Sequence, residues 1–433
     1  MHIWKNISKI PYWFFYLVYD YWIRNKLKKI NESDVDLEKE EFWLQKKILH
    51  YYYKAFPYYY KGLGLTGEES LHEYPFLTKD VIRNHPEWFR CKYEHYLPIH
   101  SYSTSGSTGV PLSFRTTPNH DPVHQRMLWK IMGYKKGDRI VLINGNLLSD
   151  EKIEKKIFYN FLSKKQMPYG GYELSCLYLL EKTAEDYIRC LDELKPAFIR
   201  GYSHAIFRLA QYIQKMNKKF DFKIKGIQLT AEKAFDYQVD FIEEVFRTKV
   251  YMQYGHSEAC VFAYTRADDK RYRCSPLYGH VEVVDDEGRP VKIGEIGEVV
   301  VTSYSNYAMP FIRYRTGDLA EYGGRDGSVV LLNDVQGRKQ EVIYTKSKET
   351  MTQAEFVTKK AYSHMVKWRI VQYEYGKLIF RIVKGPDYGP VDEEEIKRVY
   401  ERNGEFEVAF EYVEDIPLSK RGKTILIEQH LES

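Results

Sequence analysis

The sequence predicts an α/β fold: a large N-terminal domain of mixed and parallel sheets with helices and a β-rich subdomain, then a small C-terminal α+β domain. Three observations predict it. From about residue 120 to 300, helical and strand-like segments alternate. Short β-like runs at residues 224–229 and 249–252 lead straight into polar motifs, Thr230-Ala231-Glu232 and Tyr254-Gly255-His256-Ser257-Glu258. Groups just beyond the carboxyl ends of strands are where open α/β sheets bind ligands. After Gly337 the pattern changes, so the boundary is expected there, with domains at 1–337 and 338–433.

The elements follow in order. Residues 34–55 are polar-rich and helical in pattern, and Pro57 is expected to end that helix. Pro75-Phe76-Leu77-Thr78-Lys79-Asp80 reads as a loop feeding a helix, with Thr78 as its N-cap. A helix is expected over 185–194. Ser203 is expected to cap a second, in which Ile206, Leu209, Ala210 and Ile213 follow the i, i+3, i+4, i+7 rule. Residues 279–284 and 297–302 read as strands of a more antiparallel region, with a turn at Asp286-Glu287-Gly288. Beyond Gly337, residues 368–373 and 378–383 read as a hairpin around Gly376, followed by a helix at 393–402 and a strand at 406–412.

Bulk properties narrow the function. A chain of 433 residues exceeds one ordinary domain, and a hydrophobic fraction of 44% supports sizeable cores. The 65 basic and 60 acidic residues leave a net charge of +5, which argues against dedicated nucleic-acid binding. The 39 tyrosines are read as amphipathic packing. Cys91, Cys176, Cys190, Cys260 and Cys274 are odd in number and have no zinc-type spacing, so free thiols in a reducing cytosol are expected. Residues 10–23 are rich in aromatics and precede Arg24-Asn25-Lys26-Leu27-Lys28-Lys29. Asp20 interrupts the run, which is too short to span a bilayer. Two readings stand for residues 1–29: a helix packed on its own domain, or a peripheral contact with an anionic membrane face.

The stretch Ser103-Thr104-Ser105-Gly106-Ser107-Thr108-Gly109-Val110-Pro111 holds two glycines and five hydroxyl residues, between an extended approach at 97–102 and a strand-like exit at 112–116. Glycines let backbone N–H groups crowd round an anion, and hydroxyls add donors, which is how a chain cradles a triphosphate. It is not a Walker A loop, because no Gly-Lys-Ser/Thr closes it. Thr230-Ala231-Glu232, the Tyr254 motif, Tyr314-Arg315-Thr316-Gly317-Asp318, Gly337-Arg338 and Pro417-Leu418-Ser419-Lys420-Arg421-Gly422-Lys423 follow in that order.

This ordered series resembles the adenylate-forming superfamily over nearly the whole chain. Leu77-Thr78-Lys79 and Arg200-Gly201-Tyr202-Ser203 look closest to the phenylacetate–CoA ligase family, in its CapK-like branch linked to capsular polysaccharide biosynthesis. The resemblance implies an ATP- and Mg²⁺-dependent ligase that activates a carboxylic acid as an acyl-adenylate, while the cysteines and residues 1–29 point to the cytoplasm or the inner membrane face. It implies that Ser105, Gly106, Ser107, Thr108 and Gly109 hold the β- and γ-phosphates, and that Glu258 binds Mg²⁺. Ala231 and Glu232 would line the adenine or acyl side, although Glu232 equally suits a helix N-terminus. Tyr254 would stack on adenine within its Gly255-His256-Ser257 context, with His256 lining part of the acyl pocket. Asp318 would accept from the ribose hydroxyls, and Arg338 would reach ribose or phosphate at the domain junction.

Lys423, after Gly422, would bridge the acyl carboxylate and the α-phosphate, with Lys420 as the alternative. The small C-terminal domain would be a mobile lid. Its usual acidic hinge residue is here Gln340, and the glycine-bearing segment that normally follows is replaced by Thr345-Lys346-Ser347-Lys348-Glu349-Thr350. Adenylation is compatible with that departure. The acceptor is therefore left as CoA or an amine or hydroxyl of a glycan precursor. Two further readings stay open: AMP transfer onto a small molecule, and a catalytically weak nucleotide-binding pathway protein.

Overall fold

A computed structural model describes residues 36–103, 113–118, 121–338, 342–348, 350–352, 361–401, 404–417 and 425–431. The chain divides into two compact units. One comprises Met1–Tyr134 with Tyr254–Asp334, and the other Lys135–Gln253 with Val335–Ser433.

In the first unit, helix α1 (Leu37–Ala55) starts where the Asp36 side chain accepts from the Lys39 N–H at 3.1 Å. Pro57 does end it, and also opens a second helix, α2 (Pro57–Leu63), because proline suits a first helical position, where no N–H is needed. Tyrosines dominate this core. Tyr51 and Tyr52 are fully buried, and their hydroxyls donate to the Tyr307 and Asn306 carbonyls at 2.9 and 2.8 Å. The tyrosine count is thus largely packing with a satisfied polar tip. Thr78 caps α3 (Lys79–Asn84) by accepting from the Val81 N–H at 3.3 Å. Strands β1 (His100–Ser103) and β2 (Ser113–Thr116) pair antiparallel, with Ser103 opposite Ser113. Residues 104–112, which hold most of the hydroxyl/glycine stretch, lie outside the described residues. Helix α4 (Asp121–Ile131) follows.

The second unit begins with β3 (Ile140–Asn144), β4 (Tyr159–Phe161) and β5 (Tyr172–Ser175). Helix α5 (Ala184–Leu194), β6 (Phe198–Tyr202), α6 (Ser203–Lys215), β7 (Gly226–Thr230), α7 (Asp236–Phe246) and β8 (Val250–Gly255) then alternate. The strand order is β4-β5-β3-β6-β7-β8, parallel from β5 to β8, with β4 antiparallel at the edge. Ile206, Leu209, Ala210 and Ile213 of α6 are all buried, as their spacing predicts. Ser203 is not the cap expected of it. It is the first helical residue, and its hydroxyl reaches the Glu232 carbonyl at 3.5 Å.

The chain then returns to the first unit with β9 (Phe262–Tyr264), β10 (Tyr272–Cys274), β11 (Gly279–Val284), β12 (Ile296–Ser303), β13 (Tyr314–Asp326) and β14 (Val329–Arg338). Their order is β11-β12-β13-β14-β10-β9. Leu77 pairs with the start of β13: its N–H donates to the Arg313 carbonyl at 3.0 Å and its carbonyl accepts from the Arg315 N–H at 2.9 Å. The C-terminal part has a short hairpin, β15 (Val342–Tyr344) and β16 (Thr350–Thr352). A four-stranded sheet of β17 (Met365–Glu374), β18 (Lys377–Lys384), β19 (Glu407–Tyr412) and β20 (Ile427–Gln429) has helix α8 (Pro390–Tyr400) crossing between β18 and β19. Trp368, Ile370, Phe380, Ile396 and Tyr400 form its core, and Phe235 and Tyr237 at the start of α7 pack against it.

Candidate active site

The Tyr254 motif and the Asp318 motif meet inside the first unit. Along β12 and β13, Glu298 faces Leu319 and Val300 faces Arg315, so Thr316, Gly317 and Asp318 bulge opposite the single residue Val299. Such a bulge re-aims a side chain out of the ladder. Gly317 takes φ of +80°, which favours glycine, and its N–H donates to Glu298 at 3.0 Å. The Thr316 hydroxyl donates to the Val299 carbonyl at 2.7 Å and accepts from the Asp318 N–H at 3.0 Å. Arg315 pairs with Glu298 at 2.8 Å, while Arg313 pairs with Glu282 through two bonds of 3.0 and 2.9 Å. A Cβ on Gly317 would lie 3.7 Å from Lys79 Nζ, so the Leu77-Thr78-Lys79 element stands beside the bulge.

Tyr254 donates to Asp318 Oδ2 at 2.7 Å, which fixes the carboxylate. Tyr254 is half-buried as a residue, but its hydroxyl end is deeply enclosed. Burial first, and the adjacent Asp318 second, raise its pKa well above the usual tyrosine value, so it stays a donor. Glu258 is buried. Its Oε1 accepts from the Tyr314 hydroxyl at 3.2 Å, and its Oε2 lies 3.3 Å from His256 Nδ1. That second separation is an ion-pair distance without hydrogen-bond alignment, since neither His256 ring nitrogen has a hydrogen-bond partner. Burial pushes the Glu258 pKa up. The His256 charge, with backbone and Tyr314 donors, outweighs it and holds the carboxyl down at about 2. Gly255 and Ser257 are exposed on the same segment.

Among the described residues no group of three or more His, Cys, Asp or Glu could hold a metal. Glu258 alone still suits Mg²⁺, which is commonly bound through one or two carboxylates plus substrate phosphates. All five cysteines are free and buried. Burial, with the Glu258 charge second, raises the Cys260 thiol well above its usual pKa, so it is no nucleophile. Cys260 also explains Gly279: a Cβ there would stand 2.1 Å from the Cys260 carbonyl oxygen.

In the second unit, Ala231 takes φ of +71°, directing the chain sharply away from β7. Glu232 Oε2 lies 2.6 Å from His204 Nδ1 at the start of α6. Glu232 therefore does sit at a helix N-terminus, though not that of the helix following it in sequence. Sequence reasoning missed His204, Tyr314 and Arg315. For Tyr314 and Arg315 the signal was present, since both lie within the Asp318 motif.

Residues 420 and 423 lie outside the described residues, as do 105–109 and 340; for Arg338 only the backbone, at the end of β14, is described. The flanks of the lysine segment are described. The buried Arg369 of β17 donates from Nη2 to the Pro417 carbonyl at 2.9 Å and from Nε to the Ile425 carbonyl at 3.0 Å, and pairs with Glu428 at 2.7 Å. One guanidinium thus bonds both Pro417 and Ile425, the described residues on either side of 418–424, through the several donors of its planar fork. No sequence motif marked it.

Comparisons with known proteins agree with this architecture. The family model described as the CapK C-terminal domain matches residues 343–430. Protein CapK of Staphylococcus aureus is 24% identical over 427 residues, covering 92% of this chain and 90% of that protein. Phenylacetate-coenzyme A ligase of Thermus thermophilus is 25% identical over 322 residues, covering 68% and 66%. Among solved structures, 2-hydroxyisobutyryl-CoA ligase in the postadenylation state with R3-HIB-AMP superimposes with a TM-score of 0.69 at 18% identity, covering 94% of this chain and 91% of that one. The amide bond synthetase McbA of Marinactinospora thermotolerans gives a TM-score of 0.52 at 16% identity, covering 75% and 66%. The chain has the fold of adenylate-forming ligases. By sequence the chain is similar to protein CapK and to phenylacetate–CoA ligases, and residues 343–430 match the CapK C-terminal domain.

Proposed function

We propose that the chain is an ATP- and Mg²⁺-dependent ligase that activates a carboxylic acid as an acyl-adenylate and passes the acyl group to an acceptor. The observation that carries this reading is the Tyr254–Asp318 contact on the same segment as the buried, anionic Glu258. In the reaction a substrate carboxylate oxygen attacks the α-phosphorus. The new bond is acyl-O–P, and the bond to pyrophosphate breaks. No protein nucleophile is required, so positioning and charge stabilisation suffice.

Asp318 would accept from the ribose hydroxyls while Tyr254 packs on adenine. Ser105, Gly106, Ser107, Thr108 and Gly109 would surround the terminal phosphates, and Arg338 would meet ribose or phosphate. Ala231 and Glu232 would border the adenine or acyl side. Glu258 would hold Mg²⁺, which supplies neutralisation of phosphate charge when bound. Lys423 would neutralise charge growing at the α-phosphate. Residues 1–337 would form the adenylation domain and residues 338–433 a lid carrying that lysine.

The acceptor is CoA, or an amine or hydroxyl of a cell-surface glycan precursor. A 2-hydroxyisobutyryl-CoA ligase neighbour binds both 2-HIB-AMP and CoA, which supports CoA, and the CapK relationship supports the glycan pathway. Among the described residues no helix is long and apolar enough to cross a membrane. We place the enzyme in the cytoplasm. Lipid contact through residues 1–29 predicts that their removal abolishes vesicle binding and leaves catalysis intact. The test of the whole reading is ATP–pyrophosphate exchange against aryl, fatty, amino and uronic acids, with and without CoA. Exchange with one acid class is expected. No exchange with any acid, despite measurable ATP binding, would overturn it.

A further inference from the structure

We infer that the acid taken by this site carries hydroxyl groups, and that Asn146 and His204 recognise them; this rests on the ligase reading above. Strands β3, β6 and β7 are parallel neighbours, with Ile143 opposite Gly201 and Tyr202 opposite Thr230. They end at Asn144, Tyr202 and Thr230. Asn146, His204 and Glu232 thus each stand two residues beyond the carboxyl end of adjacent strands, the crest where such sheets bind ligands. Backbone contacts tie the crest together. The Ser175 hydroxyl donates to the Asn146 carbonyl at 2.6 Å, and the Gly145 backbone hydrogen-bonds the Tyr202 hydroxyl.

The crest is polar and incompletely paired. Both side-chain atoms of Asn146, Oδ1 and Nδ2, are buried with no hydrogen-bond partner. His204 binds Glu232 through Nδ1 at 2.6 Å, and its Nε2 is buried with no partner. Buried amides and imidazoles are normally paired, so three orphaned atoms at adjacent strand ends mark a place where a ligand supplies the partners. With Nδ1 engaged by Glu232, His204 leaves Nε2 to pair with the ligand, and a hydroxyl can either donate to it or accept from it. Asn146 presents one acceptor and two donors. A hydroxyl both donates and accepts, and so matches this set. An aryl or alkyl acid would desolvate the three atoms without replacing their bonds. A site built to bind a hydroxyl rejects the analogue lacking it strongly, by about 10⁴-fold in the best cases. The substrate class that fits is a hydroxylated acid such as an aldonic or uronic acid.

The experiment uses the full chain and paired acids, gluconic and glucuronic against hexanoic and cyclohexanecarboxylic. Wild type is expected to favour the hydroxylated member in kcat/KM for ATP–pyrophosphate exchange by at least about 100-fold. Asn146→Leu and His204→Asn should erase that preference and keep exchange with hexanoic acid. His204→Asn retains a donor toward Glu232 and removes Nε2; it also serves if Asn146→Leu fails to fold. Unliganded Asn146→Leu should melt at or above the wild-type temperature, because it removes an orphaned amide. Equal use of apolar acids by wild type, or parallel loss of both acids in the variants, would overturn the inference. If no acid supports exchange, the ligase reading falls and melting decides the rest. A rise in melting temperature with a hydroxylated acid in wild type, absent in Asn146→Leu, upholds the polar site; no rise sinks it.

Discussion

Two groups of strand-end residues, one in each unit, treat their polar atoms differently. Around Tyr254 and Glu258 the carboxylates are partnered within the protein: Asp318 by Tyr254, and Glu258 by Tyr314 with His256 close by. Around Asn146 and His204, buried donors and acceptors are left over. His256, in the first group, also leaves both ring nitrogens unpartnered, so the contrast is between the partnered carboxylates and the Asn146 amide; on the proposed function it matches two kinds of work. Groups that meet ATP gain from being held in place before it arrives, because preorganised charge costs no reorganisation during reaction. Groups that select a substrate gain from being satisfied only when the right one binds, since the wrong one then leaves them bare.

The comparison can be tested from the largest effect downward. Lys423→Ala should lower acyl-adenylate formation by at least about 100-fold while ATP still binds. A wild-type rate would mean that the partnered group works without this lysine, and would turn attention to Lys420. Glu258→Gln should shift the midpoint of an Mg²⁺ titration upward by about tenfold or more, since a neutral amide is a poor ligand for a hard cation. An unchanged titration would remove the metal role from the partnered group. Arg369→Lys keeps the charge and loses the fork that reaches Pro417 and Ile425. It should slow exchange by about tenfold with little change in ATP affinity, and equal loss of both would reduce Arg369 to a structural residue.

Tyr254→Phe removes one hydrogen bond worth about 1 kcal/mol. The apparent ATP affinity should weaken about fivefold, and no change would show that Asp318 needs no prior fixing. The smallest effect is on stability against pH. The Glu258 pKa falls from 4.5 to about 2 on folding, so its contribution is complete above pH 4.5 and is lost as pH falls toward 2. The melting difference between wild type and Glu258→Gln, measured without metal, should therefore be largest above pH 5 and close toward pH 2. A constant difference would mean that the carboxylate is not specially stabilised.

Much of the fold was legible because its signals are local. The buried stripe of α6, the Thr78 cap, the β17–β18 hairpin around Gly376 and the strands before Thr230 and Tyr254 are set by periodicity and turn chemistry. Pro57 and Ser203 were half-read for the same reason. Proline opens a helix as readily as it stops one, and a serine hydroxyl takes whichever carbonyl the tertiary fold brings near. Thr316-Gly317-Asp318, where Asp318 was expected to meet ribose, forms a bulge whose shape depends on β12, a partner strand the motif does not contain.

By itself, the sequence determined the α/β class, the order of the motifs, their seats at strand ends and the resemblance to the adenylate-forming superfamily. Those properties reside in residue type and spacing along the chain. Only the tertiary structure decided that Tyr254 holds Asp318, that Tyr314 and His256 meet Glu258, that one arginine grips both flanks of the lysine segment, and that Asn146 and His204 share a crest with atoms unpaired. These contacts join residues far apart in sequence. Whether a buried polar atom finds a partner is fixed by three-dimensional packing, which no local pattern encodes.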